Sequence, residues 1–194
     1  MISNILTRLN WIDFIGISIL IRVLYVGGKN GFIVELFKLA GIIFTTYVSL
    51  HYYVKLSDFI VQRLPRMQIP AGFLHFLVFI LLVAVSYTIF VLVRRAFCNL
   101  VKMEAAPMLS KWGGVFLGVG RGILTSSLVM IVLLMSIFPY LNTSVRKSYS
   151  GRPLFGVAVS TYSVIWNGLM SKFMAGEKFN ESISEIPSGE PAKK

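Results

Sequence analysis

The chain has 194 residues, of which 56% are hydrophobic and 14% charged, with a mean hydropathy of +0.75 and a formal net charge of +11. An ordinary soluble domain is about one quarter charged, so this composition excludes one. The Lys and Arg residues stand at the ends of apolar runs rather than on one soluble face with interleaved aromatics, which argues against a nucleic-acid partner and for a lipid bilayer with anionic headgroups. A single cysteine, Cys98, excludes an internal disulfide framework and a cysteine-based metal cluster.

Four apolar runs follow one another at residues 11–26, 32–54, 73–93 and 112–138. Each approaches or reaches the roughly 17–25 residues that carry a helix across a hydrocarbon core about 30 Å thick. With no water to satisfy the backbone in that core, uninterrupted apolar runs predict continuous helix. The fold class is therefore all-α, a polytopic membrane protein with four transmembrane helices plus a C-terminal amphipathic helix. Residues 1–139 make the four-span bundle.

The first connection, Gly27-Gly28-Lys29-Asn30-Gly31, is short and predicts a tight hairpin turn that uses Gly27, Gly28 and Gly31. The second, residues 55–72, carries Pro65, Pro70 and three basic residues. The third, residues 94–111, is basic and holds Pro107, which suits a loop better than a helix interior. Beyond Pro139 the character changes. Residues 140–152 are polar and basic, and the following segment puts Leu154, Ala158, Tyr162, Ile165, Leu169 and Phe173 on one helical stripe with Ser160, Ser163 and Asn167 turned away. Residues 140–176 read as an interfacial amphipathic region, with a fifth span over residues 154–170 as the alternative. Residues 177–194 read as a disordered polar tail.

The charges within the spans are the candidate site. An up-down bundle puts the end of the first span and the starts of the second and fourth in one leaflet, so Arg22, Glu35, Lys38 and Arg121 share a depth. An embedded arginine costs about 2.5–3.5 kcal/mol on insertion scales, so Arg121 calls for a partner. Either it snorkels to the headgroups or it pairs with Glu35, for which Lys38, one turn along, competes. Asp13 lies at the opposite end beside Trp11, either at headgroup level or as a polar-path residue. Gly114, Gly118 and Gly122, at four-residue spacing, leave one helix face bare for close approach by another backbone. His51 and His75 lack nearby carboxylates, so no metal is expected, and no cofactor motif or catalytic set is present; the chain reads as a non-enzyme.

The order Asn10-Trp11-Ile12-Asp13, then Gly28-Lys29-Asn30-Gly31-Phe32-Ile33-Val34-Glu35 with Gly41, then Gly114-x-x-x-Gly118-x-x-Arg121-Gly122, resembles the bacterial colicin V production (CvpA) family over roughly residues 9–175. The resemblance implies a four-span inner-membrane protein tied to colicin V production or export and to envelope homeostasis. It also implies that both termini lie outside the cytoplasm, which charge counting alone leaves close to even. Where that family has Asp-Arg, this chain has Ser110-Lys111, so an ion pair to that aspartate is not expected. Two uses follow: a scaffold or accessory factor, packing as a homo-oligomer or against a membrane-protein partner, or a small channel or transporter whose polar path is lined by Asp13, Glu35 and Arg121.

Overall fold

The computed structural model describes residues 10–63, 70–100, 107–174 and 176–186; for 98–100, 107–109, 184 and 185 it describes the backbone only. Among these residues every regular element is helical. Four long helices, α1 (Trp11–Asn30), α2 (Phe32–Arg63), α3 (Ala71–Leu100) and α4 (Pro107–Met135), precede α5 (Pro139–Lys147) and α6 (Gly151–Ile165). A π turn (Trp166–Met170), α7 (Ser171–Phe173) and a 3-10 turn (Glu181–Glu185) complete the order.

The helix ends follow local chemistry. Asn10 caps α1: its side chain accepts from the Trp11 N–H at 2.8 Å, while the Asp13 carboxylate accepts from the Asn10 N–H at 2.9 Å, a reciprocal capping box. Gly31, at φ 76°, alone separates α1 from α2. The expected five-residue turn thus shrinks to one residue, and Gly27 and Gly28 belong to the helix. One left-handed residue reverses the chain, and the rest keep their backbone groups paired as hydrocarbon demands. The other two connections shorten as well, since α2 runs to Arg63 and α3 to Leu100. Pro107, read as a loop residue, is the first described residue of α4 and already has helical backbone. Apolar counting misses such turns because helix continues beyond the apolar run.

α4 is the hub. It runs antiparallel to α1, with Gly27 against Gly114 and Gly16 against Met130, and parallel to α2, with Phe32 against Gly113 and Leu39 against Gly120. α3 packs mainly on α2, whereas the hairpin neighbours α1 and α2 touch little. The main core joins Ile42, Tyr47, Leu50 and Tyr53 of α2 to Val78 and Phe79 of α3 and to Leu124, Leu128 and Ile131 of α4. Leu77, Leu81, Val85, Ile89 and Leu92 of α3 point outward, as apolar residues do where the surroundings are lipid.

Five stretches are long and apolar enough to cross a membrane: α1, α2, Ala71–Phe97, Ser110–Met135 and Gly151–Phe173. The chain is a polytopic all-α membrane protein, with one candidate span more than the four expected. The extra one is the segment read as amphipathic, and its contacts distinguish it from the others. From Ser150 to Trp166 it meets Asp13 and Gly16, then Ser127, then Tyr47, then His51. All of these lie in the half of the bundle that holds the start of α1. The segment therefore begins and reaches Trp166 at the same end, crossing it rather than running the bundle's length.

Residues 177–186, expected to begin a solvated tail, pack on that end instead. The Asn180 side chain donates to the Leu50 carbonyl at 2.6 Å, and Ile183 is fully buried. The polar composition of this segment conceals Phe179, Ile183 and Ile186, which are enough to hold it. The rest of the expected tail, from 187 onward, lies outside the described residues.

Candidate functional site

Glu35 stands in the first turn of α2, where the helix dipole favours a carboxylate. It is completely buried, at 0% exposure. Its Oε1 accepts from Asn30 Nδ2 and from Lys38 Nζ, each at 2.8 Å. Its Oε2 lies 3.0 Å from Arg121 Nε, and neither of these two atoms has a hydrogen-bond partner, so this contact is an ion pair without hydrogen-bond alignment. Lys38 and Arg121 do not compete for the carboxylate; they take one oxygen each. Arg121 reaches its partner because helical side chains lean toward the helix N-terminus, here toward the level at which α2 begins. Burying a carboxylate away from water is costly unless it is paired, and the cations are nearly as enclosed, at 15% and 13% exposure.

Arg22 joins them from α1. It is exposed, has no ion-pair partner among the described residues, and lines a cavity of about 610 Å³ together with Lys38 and Arg121. The four charges predicted to share a depth therefore do come together, three in direct contact and the fourth across a cavity. Glu35 itself does not line that cavity, being sealed behind its cations.

The glycine face is occupied within the chain. A Cβ on Gly114 would lie 2.6 Å from the Gly27 carbonyl oxygen, and one on Gly27 would lie 2.8 Å from the Gly114 carbonyl oxygen. Gly118 is looser, with its nearest neighbours 3.4 Å away at Gly27 Cα and Val23 O. Gly122 faces the Leu20 side chain at 3.0 Å. Gly27, read from the sequence as a turn residue, is thus half of the tightest crossing in the α1–α4 interface.

Asp13 sits at the opposite end of α1, apart from Glu35 and Arg121. It is 3% exposed and accepts from the backbone N–H groups of Asn10 and Ser150, at 2.9 and 2.8 Å, and from that of Tyr149 at 3.4 Å. Its work is to pin the connection before α6 to the start of α1. Asn10 adds a second tie, donating through Nδ2 to the Ser144 carbonyl at 3.0 Å.

A second polar cluster escaped the sequence reading. His51 is buried, with Nδ1 2.9 Å from Tyr162 Oη and Nε2 3.1 Å from Glu177 Oε2, and Lys55 also contacts Glu177. Tyr162 Oη accepts from the Asn180 N–H at 3.0 Å. An ionised Glu177 carboxylate only accepts, so the His51 proton belongs on Nε2, and a neutral imidazole then accepts from the Tyr162 hydroxyl through Nδ1. Trp166 stacks on the imidazole with centroids 5.1 Å apart. No local signal announces this cluster, because His51 lies more than a hundred residues from both Tyr162 and Glu177 in sequence. His75 packs edge-on against Tyr53 instead. Among the described residues no group of three or more His, Cys, Asp or Glu is placed to hold a metal ion.

A protein-family model described as Colicin V production protein matches residues 12–170. Neither a curated protein nor a solved structure matches the chain.

Proposed function

The chain belongs to the colicin V production protein family, and from that membership we propose that it is a non-enzymatic accessory factor of the bacterial inner membrane that supports toxin production or export and envelope homeostasis. Both termini lie outside the cytoplasm in this reading, and the segment 151–173 rests in the outer leaflet plane. Residues 1–139 form the spanning bundle and 140–176 the interfacial region. The observation that carries the proposal is the use made of the buried polar groups. Glu35 locks α1, α2 and α4 together, Asp13 fastens the connection before α6, and His51 holds the segment after α7. Each is committed to holding an element in place, as in a scaffold, and the glycine face serves the bundle's own α1–α4 contact.

A solute path is the second reading, favoured by the cavity among Arg22, Lys38 and Arg121. Two measurements together separate them. In a strain lacking its own family member, the chain restores colicin V production and Gly114→Leu does not, while purified protein in liposomes passes no solute. Reproducible flux that Glu35→Gln or Arg121→Gln abolishes would overturn the scaffold reading.

A further inference from the structure

The cavity has two unlike parts. At one level stand Arg22, Lys38 and Arg121; Gly122 faces Leu20 and Val23, which puts Arg22 of α1 beside Arg121 of α4. Beyond them the walls are apolar, formed by Val83, Val129, Val132 and Leu133 among others. Ala84 and Tyr87 of α3 and Arg22 of α1 are exposed at its rim, so the cavity opens between α1 and α3 on the outward, lipid-facing side of the bundle.

Charge is unbalanced there. Glu35 supplies one negative charge to Lys38 and Arg121, and Arg22 has no ion pair among the described residues. Three cations against one carboxylate leave a net charge of +2, with Arg22 unpaired, in surroundings where uncompensated charge is costly. Guanidinium forks match phosphate oxygens, and basic pockets between transmembrane helices take anionic headgroups. The apolar part is long as well. From Arg121 to Leu133 the helix rises about 18 Å, more than half of a hydrocarbon core about 30 Å thick. The volume of about 610 Å³ is that of a small-molecule site.

We propose that this cleft seats one anionic phospholipid, its phosphate against Arg22 and Arg121 and one acyl chain along the apolar face of α4. A free phosphate would use the cations and leave the apolar walls without purpose; a neutral lipid would do the reverse.

Native mass spectrometry of the full chain in detergent, titrated with dioleoyl phosphatidylglycerol or dioleoyl phosphatidylcholine, tests this. One phosphatidylglycerol per chain is expected, preferred about tenfold over phosphatidylcholine. Arg22→Gln should weaken phosphatidylglycerol about fivefold. Ala84→Trp, which fills the mouth, should abolish the saturable adduct. Both positions are exposed, and circular dichroism verifies that each variant keeps its helix content. Equal binding of the two lipids overturns the proposal, as does an Arg22→Gln chain with unchanged preference. Complete displacement of the lipid by millimolar inorganic phosphate also overturns it, since the site would then read the phosphate alone.

Discussion

Adding a single methyl group at three glycines of the α1–α4 crossing, with Gly156 of α6 for comparison, should grade the interface, because the four positions differ in what that carbon meets. Ala is favoured over Gly in a helix by about 1 kcal/mol, so where there is room the substitution stabilises. At Gly114 there is none: the new carbon would sit 2.6 Å from the Gly27 carbonyl oxygen and 3.1 Å from Gly31 C, where ordinary contact begins near 3.4 Å. Both neighbours are backbone, so the helices must part by up to about 0.8 Å, and a gap of that size forfeits a quarter to a half of each van der Waals well along the seam. Overpacking of this kind costs about 1–3 kcal/mol. Against the helix-propensity gain, Gly114→Ala is expected to lose up to about 2 kcal/mol net, and Gly27→Ala, at 2.8 Å, slightly less. Gly118→Ala, at 3.4 Å, should fall within about 0.5 kcal/mol of the parent. Gly156→Ala on α6, with nothing within 4 Å, should gain up to about 1 kcal/mol. Unfolding in mixed micelles of increasing denaturing detergent, followed by circular dichroism, gives the four values. The double variant Gly27→Ala with Gly114→Ala should cost less than the sum of the singles, because one separation relieves both overlaps. A Gly114→Ala chain as stable as Gly118→Ala would refute the close crossing.

The remaining predictions use the polar groups. Glu35→Gln strands two cations at once and should cost about 3–5 kcal/mol in the same assay. Lys38→Gln or Arg121→Gln, each leaving one partner for the carboxylate, should cost less; the exchange Glu35→Arg with Arg121→Glu should recover stability over either single change, and failure to do so denies the pair. Asp13→Asn cannot accept all the donors converging on it. A loss of about 1–3 kcal/mol is expected, with faster proteolysis near Ser150; an unchanged cleavage pattern would mean that Asp13 is not the anchor. With Cys98 replaced by Ala, cysteines at Tyr149 and Phe173, which are 74% and 78% exposed, should react with an impermeant reagent from the same side of sealed vesicles. Labelling from opposite sides would make the segment 151–173 a fifth span.

The sequence was most legible where physics acts locally. Hydropathy located the four long helices, and topology alone brought Glu35 to the depth of Arg121, because a hairpin and an up-down order leave few choices of level. It underestimated helix at every connection, since apolar counting stops where Lys, Arg and Pro begin while the helix at Arg63 and Pro107 does not. Pairing was less legible. Nothing in the α1 sequence says that its neighbour is α4 rather than α2; the sign was Gly27, which adjoins the polar turn residues in sequence and is easily read with them. The His51 cluster was not legible at all. It needs Tyr162 and Glu177, and Glu177 sits in a segment whose charge hides the three apolar residues that bring it back.

That α1 leans on α4 and not on α2 sets an order of events during synthesis. Roughly 80 residues separate the end of α1 from the start of α4, and at about 5–20 residues per second the first helix waits about 4–16 s in the membrane before its glycine surface is covered. Over the same interval Glu35 is without Arg121. What it does have is encoded next to it: Asn30 and Lys38, within five residues on either side, both on its Oε1. The two-cation arrangement thereby divides in time, with Lys38 accompanying the carboxylate into the bilayer and Arg121 arriving afterwards to close the bundle around it.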